Sequence, residues 1–296
     1  MGNDSTPPIC DYEGSDYQTS FWGQGHREYE DRAEKIALSR LLPDRGRIML
    51  ELGAGAGRNT PLYQGFETIV LVDYSLSQLR QAQARLGDSR RYIYVAANIY
   101  HLPFKVSVFD AATMIRTLHH MADPERAIKQ VARVLQKDAA FILEYANKRN
   151  IKAILRYWLR RQEWSPFTLE PIEFAALNYD FHPRAVESWL LDAGFTISRR
   201  LTVSHFRLTC LKRRLPLSLL VRGDSLLQWT GRWFQFSPSV FILTHAAYSG
   251  QPSQGSIFAC PMCESSLLEE ERDGFTCSGC RRKWLLKDGI YDFRVE

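Results

Sequence analysis

The chain has 296 residues, 45% hydrophobic and 24% charged, with a formal net charge of +5. That is enough for one good-sized α/β domain plus an appendage, or for two modest domains, in an ordinary globular composition. No uninterrupted apolar run approaches the roughly 18 residues of a membrane span, and the acidic opening (Asp4, Asp11, Glu13, Asp16) lacks the apolar stretch of a secretory signal, so a cytoplasmic protein is expected.

Residues 1–27 begin polar and rich in Pro, Gly, Ser and Asp, and are expected to form a flexible arm. From Glu28 to Leu42, Ala33, Ile36, Ala37, Leu38, Leu41 and Leu42 recur at helical spacing until Pro43-Asp44 stops the pattern. Short apolar runs then alternate with helical ones. Ile48 to Leu52, Thr68 to Val72, Tyr92 to Ala96, Ala111 to Ile115 and Ala140 to Glu144 read as strands, and Asn59 to Tyr63, Ser77 to Leu86 and Pro124 to Leu135 as helices. Such alternation predicts an α/β fold, a Rossmann-like, doubly wound, mostly parallel seven-stranded sheet with helices on both faces.

Across about 150–182 the chain becomes aromatic and basic, with Tyr157, Trp158, Trp164, Tyr179, Phe181 and His182 as candidates for an acceptor wall or for core packing; a helical insertion over the site is expected. Pro183 opens a helix that Gly194 ends, Phe195 to Val203 reads as a strand, an apolar helical segment lies near Leu215 to Phe236, and Val240 to Thr244 is a candidate final strand. The arginines and lysines from Arg199 to Arg232 suit a solvated face or a patch for nucleic acid or acidic lipid. Residues 248–256 read as a linker, which divides a core of residues 28–247 from a small module of 257–296.

The most informative segment is IMLELGAGAGRNT, Ile48 to Thr60. An apolar strand ends near Glu51 and runs into Gly53, Gly55 and Gly57, where the backbone must turn sharply and approach a ligand that a Cβ would strike. A dinucleotide-binding loop would prefer GxGxxG and a pyrophosphate. Here the loop is GxGxG with a carboxylate at its mouth, which suits a cationic ligand and makes an NAD enzyme the weaker reading. Asp73 ends the next apolar strand about 20 residues on, where a carboxylate can accept both hydroxyls of a ribose.

Together ELGAGAGR, the strand ending VDYS, the HLPF segment followed by FDAATMIRTLHHM, and ARVLQKDAAFIL resemble the class I S-adenosylmethionine (SAM)-dependent methyltransferases of the type 11-like kind, over roughly residues 29–245. The resemblance implies S-adenosyl-L-methionine as cofactor, with Glu51, Gly53, Ala54, Gly55 and Gly57 around its methionine part, Asp73 on the ribose, and Tyr74 and Ser75 beside the adenosine. After the third strand many members carry an Asp on the adenine amino group; this chain has Asn98, between Ala97 and Ile99, expected to accept that bond through its carbonyl. Arg116 joins the expected cofactor set from the end of the fourth strand.

A sulfonium is already an activated leaving group, so positioning and desolvation can supply most of the catalysis. His119 and His120 follow the fourth strand and are the candidate proton acceptors, although the pair also suits a packing role under the cofactor. No NPPY-like or DPPY-like run is present, which argues against that class of base N-methylation, and Cys10 and Cys210 read as plain thiols.

Cys260-Pro-Met-Cys263 and Cys277-Ser-Gly-Cys280 form two CxxC knuckles about 13 residues apart, the spacing of a closed four-thiolate site for structural Zn2+. A module this small cannot build an adequate core, so metal binding would supply folding energy. FACPMCESSLLEE and CSGCRRKWLLKDGIYDF resemble the Trm112-like zinc ribbons, with Tyr291 where a DGIPDF-like ending has Pro. Stand-alone members of that family stabilise and activate methyltransferases, which implies a structural or activating role, while Arg281, Arg282 and Lys283 also suit RNA. The expected activity is methyl transfer to a small molecule or an RNA; the rival is a non-catalytic adaptor that recruits RNA or protein.

Overall fold

The computed structural model describes residues 7–14, 27–87, 89–247, 250 and 255–295. In chain order the core begins with helix α1 (Glu28–Leu41), strands β1 (Gly46–Leu52) and β2 (Phe66–Asp73), helix α2 (Leu76–Leu86), and strands β3 (Tyr92–Ala96) and β4 (Phe109–Met114). It continues through α3 (Pro124–Val134), β5 (Leu135–Ala146), α4 (Ile151–Trp158), β6 (Ile172–Ala175), β7 (Asn178–Asp180) and α5 (Pro183–Asp192). Then come β8 (Phe195–Val203), α6 (Thr209–Arg214), α7 (Leu217–Leu227), β9 (Ser239–Ala246) and four short strands, β10 (Leu268–Glu271), β11 (Gly274–Cys277), β12 (Lys283–Lys287) and β13 (Ile290–Asp292).

Seven strands lie in the order β3-β2-β1-β4-β5-β9-β8, parallel from β3 to β5, with β9 antiparallel to both its neighbours. The centre of β1, β2 and β4 is buried on both faces, as continuous apolar runs in a doubly covered sheet require. On one face α1, α2 and α7 bury Ala33, Leu38, Leu79, Ala82 and Leu220; on the other, α3 and α5 bury Ile128, Val131, Val186 and Leu190. The helices start where their caps dictate. Ser75 accepts from the Gln78 N–H at α2, and Asp123 accepts from Arg126 with Pro124 in the first turn of α3.

Four readings of the sequence are corrected. Asn59 to Tyr63 contains only a 3-10 turn, Thr60–Leu62. The segment 150–182 is not a helical insertion throughout: α4 is followed by an irregular stretch and the β6–β7 hairpin, because Pro166 and Pro171 interrupt any helix and Ile172 and Phe174 alternate as a strand does. The apolar stretch Leu215 to Phe236 is α7 plus a 3-10 turn, Gln228–Arg232. The arm is not loose at residues 7–14, which pack on the cofactor cleft described below. Most of the expected linker lies outside the described residues.

The C-terminal strands extend the sheet to eleven rather than stand apart. β13 runs parallel to β3, with Ile290 opposite Tyr94, Tyr291 opposite Val95 and Asp292 opposite Ala96, and the Phe293 N–H donates to the Ala96 carbonyl at 2.8 Å. An edge strand left unpaired would expose its N–H and C=O groups; here the ribbon covers it. Phe258 completes the seam, its ring 5.9 Å from Phe104 and 5.1 Å from Phe293.

α1 is fixed to the loops at the C-terminal edge of the sheet by Glu34, 2% exposed. Its carboxylate accepts from Arg58 Nη2 at 3.0 Å, after the glycine loop, and from Arg116 Nε at 2.9 Å, after β4. Burial alone would raise the Glu34 pKa, but the Arg116 and Arg58 guanidinium groups outweigh it and hold it at about 2. The folded value lies below the unfolded one, so this contribution to stability is present above the ordinary carboxylate range and is lost as pH falls toward 2. Glu34→Gln, which leaves two cations facing a neutral amide, should cost about 3–5 kcal/mol at neutral pH, read by urea denaturation.

Candidate active site

The end of β1 turns at Gly53, whose φ is +65° and where a Cβ would come within 2.0 Å of Thr117 Oγ1. Gly55, at φ +52°, has only Gln78 Oε1 near its missing Cβ, at 3.9 Å, so this part of the loop borders open space. Asp73 closes the loop from β2: its carboxylate accepts the Gly55 N–H at 2.8 Å and the Ser75 N–H at 3.0 Å. These elements bound a cleft of about 730 Å³.

Of the expected cofactor residues, Gly53, Gly55, Asp73, Tyr74, Ala97, Asn98, Ile99 and Arg116 line this cleft. Ala54 donates its N–H to Val72, Gly57 packs where a Cβ would meet Leu86 and Ala82, and Ser75 caps α2. Glu51 is buried behind the loop, accepting from Thr60 Oγ1 at 2.6 Å and Tyr63 Oη at 3.3 Å. Arg116 lines the cleft with its guanidinium turned to Glu34.

Asn98 lines the cleft with its amide held in one orientation. Its carbonyl oxygen already accepts the Tyr100 N–H at 2.9 Å, which fixes the amide orientation, and its buried Nδ2 has no partner among the described residues. That oxygen keeps a second lone pair, so the side chain offers both an acceptor site and unpartnered N–H donors beside the cleft. An orphaned donor beside Ala97 and Ile99, an open glycine cradle and a carboxylate with spare lone pairs fit a nucleoside with a small polar tail.

Three cleft residues that the sequence reading missed, Ile9, Cys10 and Tyr12, come from the arm. Nothing in its polar composition signals a docked segment; its anchors are Glu13, accepting from Ser75 Oγ at 3.0 Å and from the Ser77 N–H at 3.2 Å, and Gly14, donating to Ser77 Oγ at 2.9 Å. Tyr12 Oη lies 3.0 Å from His120 Nε2. His120 Nδ1 is 2.9 Å from the Leu177 carbonyl, which can only accept, so Nδ1 carries the proton and Nε2 accepts from Tyr12. Burial lowers the His120 pKa, and the ring is neutral at pH 7. His119 does not line the cleft; it is buried beside His120 with its pKa driven well down, chiefly by burial, and its Nδ1 has no partner among the described residues. Of the expected acceptor wall, Phe181 and His182 are buried in the core and Trp158 is exposed.

In the ribbon the Sγ atoms of Cys260, Cys263, Cys277 and Cys280 all lie within 4.8 Å of one another, with Cys260–Cys280 at 3.6 Å and Cys263–Cys277 at 3.5 Å. Those separations are too long for a disulfide and close to the ~3.8 Å edge of a tetrahedron of metal–sulfur bonds.

Glu51 generates a pH prediction. Burial pushes its pKa up to about 7, against the lowering effect of the Thr60 and Tyr63 hydrogen bonds. The folded value lies above the unfolded one, so stability is greatest below the ordinary carboxylate range and declines as pH rises through 7. Glu51→Gln, which keeps an acceptor for one hydroxyl and turns an amide N–H donor to the oxygen of the other, should be near-neutral at pH 5 and stabilising by about 1–3 kcal/mol at pH 8, measured by denaturant titration at the two pH values.

Comparison with known proteins agrees with this geometry. The family described as methyltransferase domain matches residues 50–143. A demethylmenaquinone methyltransferase from Clavibacter sepedonicus is 25% identical over 191 residues, covering 60% of this chain and 76% of that protein. The chain spans about half the length of other curated relatives it matches. Among solved structures, the complex between the Haloferax volcanii Trm112 methyltransferase activator and a methyltransferase contains a chain with TM-score 0.56 and 14% identity, covering 78% of this chain and 96% of that one. A SAM-dependent methyltransferase from Thermotoga maritima gives TM-score 0.53 at 22% identity, covering 77% and 95%. The motif-bearing family match, carried on this sheet order and this glycine-and-aspartate cleft, makes the chain a class I S-adenosylmethionine-dependent methyltransferase.

Proposed function

We propose that the chain methylates a small aromatic alcohol of the phenol or quinol type, at its hydroxyl oxygen or an adjacent ring carbon, and that its ribbon holds structural Zn2+. The observation that carries this reading is the Tyr12–His120 contact, in which a phenol sits against a neutral imidazole at the mouth of the cofactor cleft. Tyr12 occupies the position an acceptor hydroxyl would take. The demethylmenaquinone methyltransferase named above acts, by its name, on a ring compound of this class.

Asp73 would accept the ribose hydroxyls, Asn98 would donate to an adenine ring nitrogen, and the Gly53–Gly55 backbone would border the methionine part. Bound there, SAM supplies an electrophilic methyl group. His120 is oriented for the remaining task by Leu177: its unprotonated Nε2 would take the acceptor's hydroxyl proton and leave the electron pair of the oxygen, or of the adjacent ring carbon, available to the methyl group SAM would supply. Burial keeps the ring unprotonated near neutral pH and therefore able to act.

The ribbon bears on the same cleft through the β13–β3 seam, since Ala96 pairs with Asp292 immediately before the cofactor residues Ala97 and Asn98, and Arg294 lies 5.8 Å over the Tyr74 ring. Residues 28–247 and 257–296 would thus work as one catalytic unit, in the cytoplasm, where CxxC thiols stay reduced. A second reading has its own observation. Tyr74, Arg282, Lys283, Trp284 and Arg294 line one groove at the cleft's edge, a cationic and aromatic arrangement suited to RNA.

Incubation with methyl-labelled SAM and parallel pools of phenols and quinols or of RNA decides between acceptors; label confined to RNA would overturn the first reading, and no transfer beside intact SAM binding would favour an adaptor. On the cognate acceptor, His120→Phe should lower kcat about 10²–10⁴-fold with SAM affinity near unchanged. Stripping the metal with a chelator should weaken SAM binding about tenfold by loosening the ribbon beneath Ala96, read by calorimetry before and after zinc is restored.

A further inference from the structure

Apart from the cleft, the molecule carries an apolar groove of about 1720 Å³, open to solvent, between α4 and the segments 205–208 and 230–238. The two walls are joined where the Ile151 N–H donates to the Phe236 carbonyl at 2.9 Å. Along α4, Ile151 and Leu155, continued by Leu159 at the C-cap, follow one another at i, i+4 and i+8 and form one stripe, and Lys152 and Arg156 lie beside it. These apolar side chains are not packed away: Ile151 is 59% exposed, Leu159 61%, across the groove Phe234 61%, and Trp233, next to Phe234 in the chain, 67%. The lining includes Lys152, Arg156, Arg161 and Arg207 and no carboxylate.

We infer that this face docks on an anionic lipid bilayer surface. A helix with an aliphatic stripe flanked by Lys and Arg, with exposed Trp and Phe side chains on the neighbouring segment, is the arrangement that lies in the headgroup boundary, its rings and aliphatic chains below the phosphates and its cations among them. No described helix is long and apolar enough to cross the membrane, so the contact is peripheral. A nucleic acid would satisfy the cations but leave Ile151, Leu159 and Leu208 in water, since aliphatic side chains give bases no stacking surface. The inference rests on this surface alone and holds whichever acceptor the cleft takes.

The test is flotation of the full chain with phosphatidylcholine vesicles and, in parallel, with vesicles containing about one-third phosphatidylglycerol. The chain is expected to float with the anionic vesicles only. Lys152→Glu with Arg156→Glu should reduce the bound fraction about tenfold or more, and Trp233→Ser with Phe234→Ser should do the same independently, while calorimetry shows SAM binding unchanged in each variant. Absence of flotation with anionic vesicles, retention unchanged in both double variants, or displacement of the chain from vesicles by poly(U) would each overturn the inference.

Discussion

One buried carboxylate, Glu34, meets guanidinium groups from both loops that frame the cofactor cleft, and the geometry of the cleft follows from it. Arg58 leaves the glycine loop and Arg116 leaves β4, and each would carry its charge into a poorly hydrated edge if α1 were absent. Arg116 sits at φ +56°, a strained conformation for a side-chain-bearing residue, held by Glu34 on its guanidinium and by Glu144 on its N–H at 2.9 Å. Thr117 follows directly and presses against Gly53. A single ion cluster thus sets the separation between the two loops, and with it the width of the cavity.

Most of the core was legible because its signals are local and consistent. The apolar runs of β1 to β5 are continuous because the sheet is covered on both faces, and the caps at Ser75 and Asp123 stand at the helix starts they mark. Asp73 and the glycines could be read because a close backbone approach restricts residue choice. What could not be read depends on contacts distant in sequence. Tyr12 meets His120 across the whole first half of the fold, and β13 finds β3 after a long excursion; no periodicity in either segment announces its partner. The orientation of the Asn98 amide belongs here too: only the Tyr100 N–H beneath it fixes which end is the oxygen. The mixed character of 150–182 was hidden because basic and aromatic residues suit an exposed helix and an exposed hairpin alike.

The cleft and the ribbon are coupled by a few backbone atoms. Ala96 gives its carbonyl to Phe293, and the next residues, Ala97 and Asn98, face the cleft. The ribbon's aromatic residues, Phe258, Phe275, Trp284 and Phe293, belong to the same buried cluster as α3 and β5, so the ribbon shares a core with the catalytic domain as well as a sheet. Loosening one end of that arrangement should reach the other without any long chain of intermediaries.

The seam between β13 and β3 lies within one polypeptide. Two separate proteins meeting through such strands would be paired to a degree set by their abundances, and one helper could be divided among several competing enzymes. A tether raises the local concentration of one set of strands at the other to the millimolar range, so pairing is complete in each molecule and indifferent to dilution. The proportions are fixed at one to one, at the cost of any control that separate supply of the two parts would allow.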